Sequence, residues 1–226
     1  AKYGKLRIKT IDLFDDLTEK AAKALGGTEA LVPLIAKEPK VVPGEFSREI
    51  PGTAADGSMA GYRRISADKI PGNIIKMLSE DWMLITAGTE EKYNMMTASW
   101  GGLVYLYNKP VSFCFIYPTR YTYQLMEKND TYTISFYTEA YRDALKYCGS
   151  HSGGDTDKVK GAGLTPLTTP SGSKAFSEAW MIIECKKMLS QPIASGAFDS
   201  PELKGEWKDK PLHKMYIGEI INVWIK

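Results

Sequence analysis

Residues 94–118 read NMMTASWGGLVYLYNKPVSFCFIYP, and residues 119–130 continue as TRYTYQLMEKND. In the second half of the first stretch, apolar side chains occupy every second position, which predicts a buried strand over 111–117. The residues after it begin a predicted helix with hydroxyl groups and one guanidinium, that of Arg120. A strand end rich in small hydroxyl residues, beside a helix start that carries arginine, suits a phosphate group attached to a flat ring.

The composition limits the classes of partner. The chain has 226 residues, which is enough for one domain with a sizeable core and an appendage. Its net charge of +2 gives no general attraction to nucleic acid or membrane, so neither is expected as a partner. Cys114, Cys148 and Cys185 are too widely spaced to indicate a disulfide framework or a zinc site. Any anion site must therefore be local.

The chain divides into an N-terminal extension, 1–64, and a main domain, 65–226. The extension is predicted to contain a strand over 5–9, helices over 15–25 and 28–36, and a linker or strap over 37–61. Its role is not assigned, and a structural extension is the favoured interpretation. The sequence starts at Ala1, which is compatible with a removed signal peptide or tag. A cytoplasmic location is expected, with export as the alternative.

The main domain contains several segments with the two-residue period of β-strands. Besides 111–117, strands are predicted over 82–87, 95–100, 132–137, 179–187 and 215–225. The last of these changes phase near Gly218, which indicates a bulge. Short helices are predicted over 71–78 and after Thr138, whose side chain is the expected cap. The pattern favours a mainly β fold with α insertions, built as a barrel.

Known nucleotide-binding and hydrolase motifs are missing from the sequence. It contains no GxGxxG, GxxxxGK[ST] or GxSxG motif, and its histidines are His151 and His213. A histidine-centred triad and a multi-histidine metal site are therefore poorly supported, and no metal is expected. If the protein is an enzyme, a cofactor should perform the difficult step, and FMN fits a site that offers mainly a phosphate grip and a lined ring pocket.

Three separated motifs carry a family resemblance. TASWGG at 97–102, PTRYTY at 118–123 and CGSHSGGDTDK at 148–158 resemble the flavin reductase-like family of FMN-binding split barrels, which includes flavoredoxin. The likeness runs from about Ser66 to the C-terminus. It implies an FMN-binding split β-barrel, here with a helical N-terminal extension, and a homodimer with each FMN at the subunit interface. It also implies that FMN takes a hydride, with NAD(P)H as the possible co-substrate.

The residues and the resemblance together give a set of candidate site residues. Arg120 and Thr122 would hold the phosphate, and Lys158 would add a second positive charge. Trp100 would border the flavin, and His213 would donate a proton or hold a substrate. The full candidate set for cofactor binding is Thr97, Ala98, Ser99, Trp100, Arg120, Tyr121, Thr122, Ser150, Ser152 and Lys158.

Each of these assignments has a structural alternative. Arg120 could form a surface ion pair, the glycine-rich loop could be a plain turn, Trp100 could be a core residue, and His213 could be an ordinary strand-end histidine. Tyr121, Tyr123 and Tyr137 are further candidates for lining the ring, against simple packing.

Three hypotheses for function follow. The first is an FMN-binding oxidoreductase that uses NAD(P)H. The second is a non-enzymatic FMN electron carrier that serves a partner protein, and the third is a barrel without flavin that acts as a binding module. The family often has arginine where this chain has Gly154, so a second bound phosphate, such as that of NADPH, is less expected.

Overall fold

The computed structural model describes residues 59–226. The strand predicted over 5–9, the helices over 15–25 and 28–36, and nearly all of the 37–61 linker lie outside this range. Within it, the last part of the linker forms a turn in which Tyr62 N donates to Met59 O at 3.0 Å. Met59 and Tyr62 are both buried in the core.

The domain is built on antiparallel strands with short helices between them. The strands are β1 (Arg63–Ile65), β2 (Met83–Gly88), β3 (Tyr93–Ala98), β4 (Gly101–Leu106), β5 (Lys109–Ile116), β6 (Thr131–Phe136), β7 (Pro166–Thr168), β8 (Lys174–Phe176), β9 (Met181–Pro192) and β10 (Lys214–Ile225). The helices are α1 (Ile74–Lys76), α2 (Tyr121–Lys128), α3 (Arg142–Ser150), α4 (Lys158–Ala162) and α5 (Pro201–Glu206). A π-helical turn over Met77–Asp81 extends α1.

Eight strands form one sheet in the order β3-β2-β6-β9-β10-β5-β4, with β1 paired to β10, and β7 and β8 form a separate hairpin. All pairings are antiparallel. The predicted mainly β class with α insertions is thus confirmed. Arg63 and Arg64, which the sequence analysis places in the extension, belong to β1 and pair with Ile225 and Trp224 of β10.

The sheet separates two hydrophobic clusters. Along β2, Met83, Ile85 and Ala87 belong to one cluster, whereas Leu84 belongs to the other. Successive strand residues point to opposite faces, so β2 has a core on each side and all its residues are buried. Helices α2 and α3 pack beside β3, which brings their ends close to the end of that strand.

The largest difference from the predicted strands lies at the quoted motif. The strand predicted over 95–100 ends at Ala98, and a new strand, β4, begins at Gly101. A Cβ atom at Gly101 would lie 2.4 Å from Phe113 O, so only glycine lets β4 come this close to β5 here. Tyr107 and Asn108 then close a two-residue hairpin with positive φ angles of 51° and 58°.

Two finer predictions have different outcomes. The bulge near Gly218 is confirmed, because the register between β10 and β9 shifts between Ile217 and Gly218. Thr138 does stand before a helical turn, but its side chain makes no capping hydrogen bond, so that prediction is wrong. Its backbone carbonyl accepts from Tyr141 N at 3.0 Å instead. Among residues 59–226, no helix is long and apolar enough to cross a membrane.

Candidate functional site

Three adjoining cavities meet at the side chain of Arg120. The first, of about 220 Å³, also reaches Lys158 and is called the Arg120–Lys158 cavity. The second, of about 240 Å³, is bordered by Trp100 and His213 and is called the Trp100–His213 cavity. The third, of about 440 Å³, lies between Trp82 and Lys146. The guanidinium of Arg120 lines all three cavities. A single ligand with an anionic end in one cavity and a flat ring in another could therefore contact this guanidinium with both of its ends.

Arg120 is placed by the turn between β5 and α2. It is the N-cap residue of α2, with an extended backbone, and its side chain reaches across to the end of α3, where Nη1 donates to Gly149 O at 2.8 Å. Within residues 59–226, every salt bridge involves other residues. Within the described residues, Arg120 therefore does not form the surface ion pair that was its structural alternative. Its remaining guanidinium N–H groups are available to an anion.

Lys158 is a buried cation, since its residue is only 4% exposed. It is the first residue of α4, and its Nζ donates to Met95 O of β3 at 2.5 Å. Burial, with a smaller contribution from the positive charge of Arg120, lowers the pKa of the Lys158 amine to about 8. Because the positive charges of Arg120 and Lys158 are close enough to repel each other, a bound anion would stabilise both.

The remaining polar groups of the Arg120–Lys158 cavity come from β3, α2 and the loop after α3. Thr122 is buried, and its Oγ1 accepts from Asn94 Nδ2 at 2.8 Å, which leaves its own hydroxyl proton for another acceptor. Gly153 packs against the same amide, and a Cβ atom there would lie 2.0 Å from Asn94 Oδ1. The glycine-rich loop therefore packs closely against Asn94 and is not a plain surface turn.

Ser150 and Ser152, two of the predicted cofactor-binding residues, line this cavity, but their hydroxyls already have partners. Ser150 is the last residue of α3, and its Oγ donates to Lys146 O at 2.9 Å. Ser152 Oγ accepts from Gly154 N at 3.2 Å. Tyr121 lines the same cavity with its ring.

The end of β3 faces the two other cavities. Thr97, Ala98 and Ser99 line both of them, but they do not line the Arg120–Lys158 cavity. Thr97 Oγ1 donates to Leu145 O of α3 at 2.5 Å, so this hydroxyl joins strand to helix. The structure thus separates the hydroxyls of the TASW motif from Lys158, whereas Arg120 lines a cavity on either side.

His213 lies in an aromatic cluster at the far side of the Trp100–His213 cavity. Its ring centroid is 3.6 Å from that of Tyr117 and 4.9 Å from that of Trp100. Trp207 is 5.8 Å from Trp100 and completes the cluster. Burial lowers the pKa of His213 below its ordinary value, so the imidazole is neutral at pH 7. Trp100 is 52% exposed and is therefore not a core residue.

Several residues that line the cavities are not among the candidates predicted from the sequence. Asn94 and His151 line the Arg120–Lys158 cavity, and Trp82 and Lys146 line the third. Nothing in the local pattern marks Asn94, which lies at an ordinary strand position. His151 was a visible signal, since it stands inside the CGSHSGGDTDK motif.

Two tyrosines considered for the ring serve packing instead. Tyr123 packs against Tyr216, with ring centroids 6.3 Å apart, and Tyr137 is buried beside Tyr141. Over the described range 59–226, no group of three or more His, Cys, Asp or Glu residues is arranged to hold a metal ion.

Comparison with known proteins identifies the family. The sequence profile described as "Flavin reductase like domain" matches residues 77–226. The chain belongs to the flavin reductase-like family. The resemblance carried by the three motifs is thereby confirmed, and flavin-related redox chemistry is the functional class that the family supports. No curated protein gives a significant match.

Solved structures agree with this assignment. The chain resembles flavoredoxin of Desulfovibrio vulgaris (Miyazaki F) with 25% identity and a TM-score of 0.51, over 64% of this chain and 69% of that one. An FMN-binding domain of a flavin reductases-like enzyme from Shewanella baltica matches with 16% identity and a TM-score of 0.54, over 73% and 76%. A flavin reductase from Shewanella frigidimarina with a split barrel domain matches with 20% identity and a TM-score of 0.52, over 67% and 71%. The split-barrel fold of this flavin reductase-like chain is thus confirmed.

Proposed function

We propose that this flavin reductase-like protein is an oxidoreductase that binds FMN and passes a hydride or electrons through it. The observation that carries the proposal is the position of Arg120, which lines both a polar cavity with two cations and a cavity with aromatic walls. FMN has the matching shape, with a phosphate at one end and a flat ring at the other. The flavoredoxin likeness and the FMN-binding domain of Shewanella baltica support the same cofactor.

The Arg120–Lys158 cavity fits the phosphate. Arg120 and Lys158 supply the charge, and none of the residues that line the cavity is acidic. The first backbone amides of a helix lack an intrahelical acceptor, so those of Tyr121 and Thr122 can add donors at the same place, whereas Tyr123 N already donates to Arg120 O at 2.9 Å. Thr122, held by Asn94, can donate its hydroxyl proton. This set replaces the water shell of a dianion with charged and neutral donors.

The ring would lie against the end of β3. Thr97, Ala98 and Ser99 line both cavities on that side, and Trp100 lines one of them. When bound, FMN supplies the electron acceptor at its ring, so the protein needs no covalent nucleophile. His213 is placed to accept or donate a hydrogen bond at the edge of the cavity, and in its neutral form it is a weak general acid at pH 7.

The absorption spectrum of the purified protein tests the proposed cofactor. We expect bound flavin to give visible absorption bands, or an apoprotein to take up added FMN with saturable quenching of flavin fluorescence. Released cofactor should be FMN by mass spectrometry. A colourless protein that binds no added FMN would instead support a barrel that acts as a binding module.

If a nicotinamide is the donor, NADH should reduce the flavin at least as fast as NADPH. The 2′-phosphate of NADPH needs a cluster of donors in place of its water shell. Arg120 and Lys158 are assigned to FMN, and Lys146 of the third cavity forms a salt bridge with Asp143. Gly154 offers no charge, and a Cβ atom there would lie 3.3 Å from Tyr121. Arg63 and Arg64 line none of the three cavities. Anaerobic stopped-flow bleaching by each nucleotide at equal concentration measures the preference.

Two results of this measurement would change the proposal. A strong preference for NADPH would reveal a basic pocket beyond the three cavities described above. Bleaching by neither nucleotide would favour the second candidate function, an FMN electron carrier that takes electrons from a redox protein.

We also expect a homodimer with FMN close to the subunit interface, as the family resemblance implies. The β4–β5 hairpin exposes Val104, Tyr105 and Tyr107, and Tyr105 is 72% exposed. Aromatic residues are enriched at interfaces, so this hairpin is the surface that supports the expectation. Sedimentation should give twice the mass of the chain, and Tyr105→Glu should shift it toward the monomer, whereas Leu203→Glu on α5 should not. A stable monomer with full FMN content would refute the expectation.

A further inference from the structure

Trp82 has a backbone conformation that is unusual for a residue with a side chain. It lies between the π-helical turn of Met77–Asp81 and the start of β2, with φ 66° and ψ 161°. This region of backbone space is almost confined to glycine, and other residues hold it only where their surroundings impose it. Strained residues and π-helical turns are both concentrated at functional sites, so Trp82 is a candidate for a functional role.

The side chain of Arg142 holds the indole of Trp82 in place. Its guanidinium carbon lies 4.4 Å from the centre of the Trp82 ring. The same guanidinium donates to Asp81 O at 3.3 Å and to Glu139 Oε2 at 2.8 Å. The indole also packs against the hydrophobic cluster that includes Leu84. Because all these contacts come from the protein itself, the ring is preorganised, and a ligand that touches it loses little free energy in ordering it.

Trp82 supplies the one aromatic side chain on the wall of the third cavity, within residues 59–226. Met83 pairs with Ala98 across β2 and β3, so Trp82 stands beside the end of β3. Arg120 lines this cavity as well as the one proposed for the phosphate. Arg142 does not line it, so the guanidinium supports the indole without occupying space that a ligand could use.

We propose that Trp82 is a flavin-binding residue that contacts the ring of FMN from the third cavity, and that Arg142 is the residue that positions it. The inference rests on the proposed function, since it takes FMN as the ligand. A flat ring against the end of β3 would meet an ordered aromatic surface there, which stabilises it through dispersion and buried apolar area. The strained backbone is then explained, because glycine would fit this conformation but would offer no ring.

Binding of FMN and riboflavin to Trp82→Ala, measured by equilibrium dialysis, tests the contact. Both ligands carry the same ring, so both should bind more weakly by the same factor, about 5- to 50-fold, as expected for the loss of one stacked aromatic side chain. Trp82→Phe should keep most of the affinity. Trp180→Ala is the matched control, since it removes a half-buried tryptophan that lines none of the three cavities. Unchanged riboflavin affinity in Trp82→Ala would overturn the proposal.

A glycine variant separates the lost ring contact from a change in stability. Trp82→Gly relieves the strained backbone, whereas Trp82→Ala retains it, so the glycine variant should melt at the higher temperature. Both variants lack the indole and should bind riboflavin equally weakly. If Trp82→Gly binds riboflavin as tightly as the parent protein, the affinity lost in Trp82→Ala comes from an altered fold, and the proposed contact is wrong.

A double-mutant cycle tests the positioning role of Arg142. Arg142→Met should weaken riboflavin binding by about 2- to 5-fold in the parent protein, because the indole is present but less well held. In the Trp82→Ala background the same substitution should have no further effect. An equal loss in both backgrounds would overturn the positioning role. If the parent protein binds neither FMN nor riboflavin, the proposed function fails and this inference fails with it, whereas a parent protein that binds both leaves the variants to decide.

Discussion

Arg120→Ala should weaken FMN binding by about 10- to 100-fold and leave the fold intact. A hydrogen bond to a charged group contributes roughly 1.5–3 kcal/mol, which corresponds to this range of affinity. Arg120 is exposed, and the one hydrogen bond that its side chain makes within residues 59–226 goes to Gly149 O, so the fold does not depend on a buried contact of this side chain. Titration of the apoprotein with FMN, followed by quenching of flavin fluorescence, measures the change.

Riboflavin separates a phosphate grip from a structural role. It has the ring but no phosphate, so it should bind the parent protein and Arg120→Ala almost equally. Arg63→Ala is the matched control, since it removes an exposed arginine that lines none of the three cavities. If Arg120→Ala loses riboflavin as severely as FMN, Arg120 supports the local fold and does not hold phosphate.

The affinity for FMN should fall as the pH rises above about 8, by up to tenfold per pH unit. Burial has lowered the pKa of Lys158 to about 8, so the amine of the unliganded protein loses its proton above that pH. A bound phosphate raises this pKa, and binding must then be accompanied by uptake of a proton. The phosphate itself stays a dianion throughout, since its second pKa is about 6. Fluorescence titrations between pH 7 and pH 9 should show the slope.

Variants assign this pH dependence to one residue. Lys158→Met should bind FMN more weakly at pH 7 and should lose the slope above pH 8, whereas riboflavin binding should be flat in both proteins. Near the same cavity, burial raises the pKa of the Cys148 thiol to about 11. His151→Gln should keep the slope. A slope that persists in Lys158→Met would show that another group titrates.

Loss of stability cannot produce the same slope. The pKa of Lys158 is lower in the folded protein than in the unfolded chain, so between these two values the unfolded chain binds more protons. The contribution of Lys158 to stability therefore rises with pH in this window. Affinity for FMN and the contribution of Lys158 to stability should therefore move in opposite directions, and thermal melts of the parent protein and Lys158→Met compared at each pH check this.

Much of the fold was predictable from local patterns. The alternation in 132–137 predicted β6, because Tyr132, Ile134 and Phe136 lie on one face and join one core cluster. The alternation in 111–117 predicted β5, but there Cys114 and Ile116 face that core, whereas Phe113 and Phe115 are half-buried.

A bulge was predicted near Gly218, and the register between β10 and β9 shifts there, with Met188 of β9 as the extra residue. The extra residue on β10 itself is Ile221. The break between β3 and β4 was missed, because it depends on how close Gly101 comes to Phe113 across the sheet.

The residue types of the candidate site were also visible in the sequence. Arg120 stands at a helix start after a strand, a local arrangement that the chain specifies by itself. The three motifs carried the family resemblance in their order and spacing. The N-terminal extension and the dimer stay predictions.

Only the tertiary structure decided which residues meet. Asn94, Arg120 and Lys158 lie on three elements far apart in the chain, and packing of α2 and α3 beside β3 brings them to one cavity. The same packing places Thr97 at the two cavities proposed for the flavin ring, where its Oγ1 donates a hydrogen bond to Leu145 O. The lowered pKa of Lys158 and the position of Trp207 over His213 are likewise products of burial and long-range contact. Sequence patterns report on neighbours along the chain, whereas desolvation and cavity walls depend on neighbours in space.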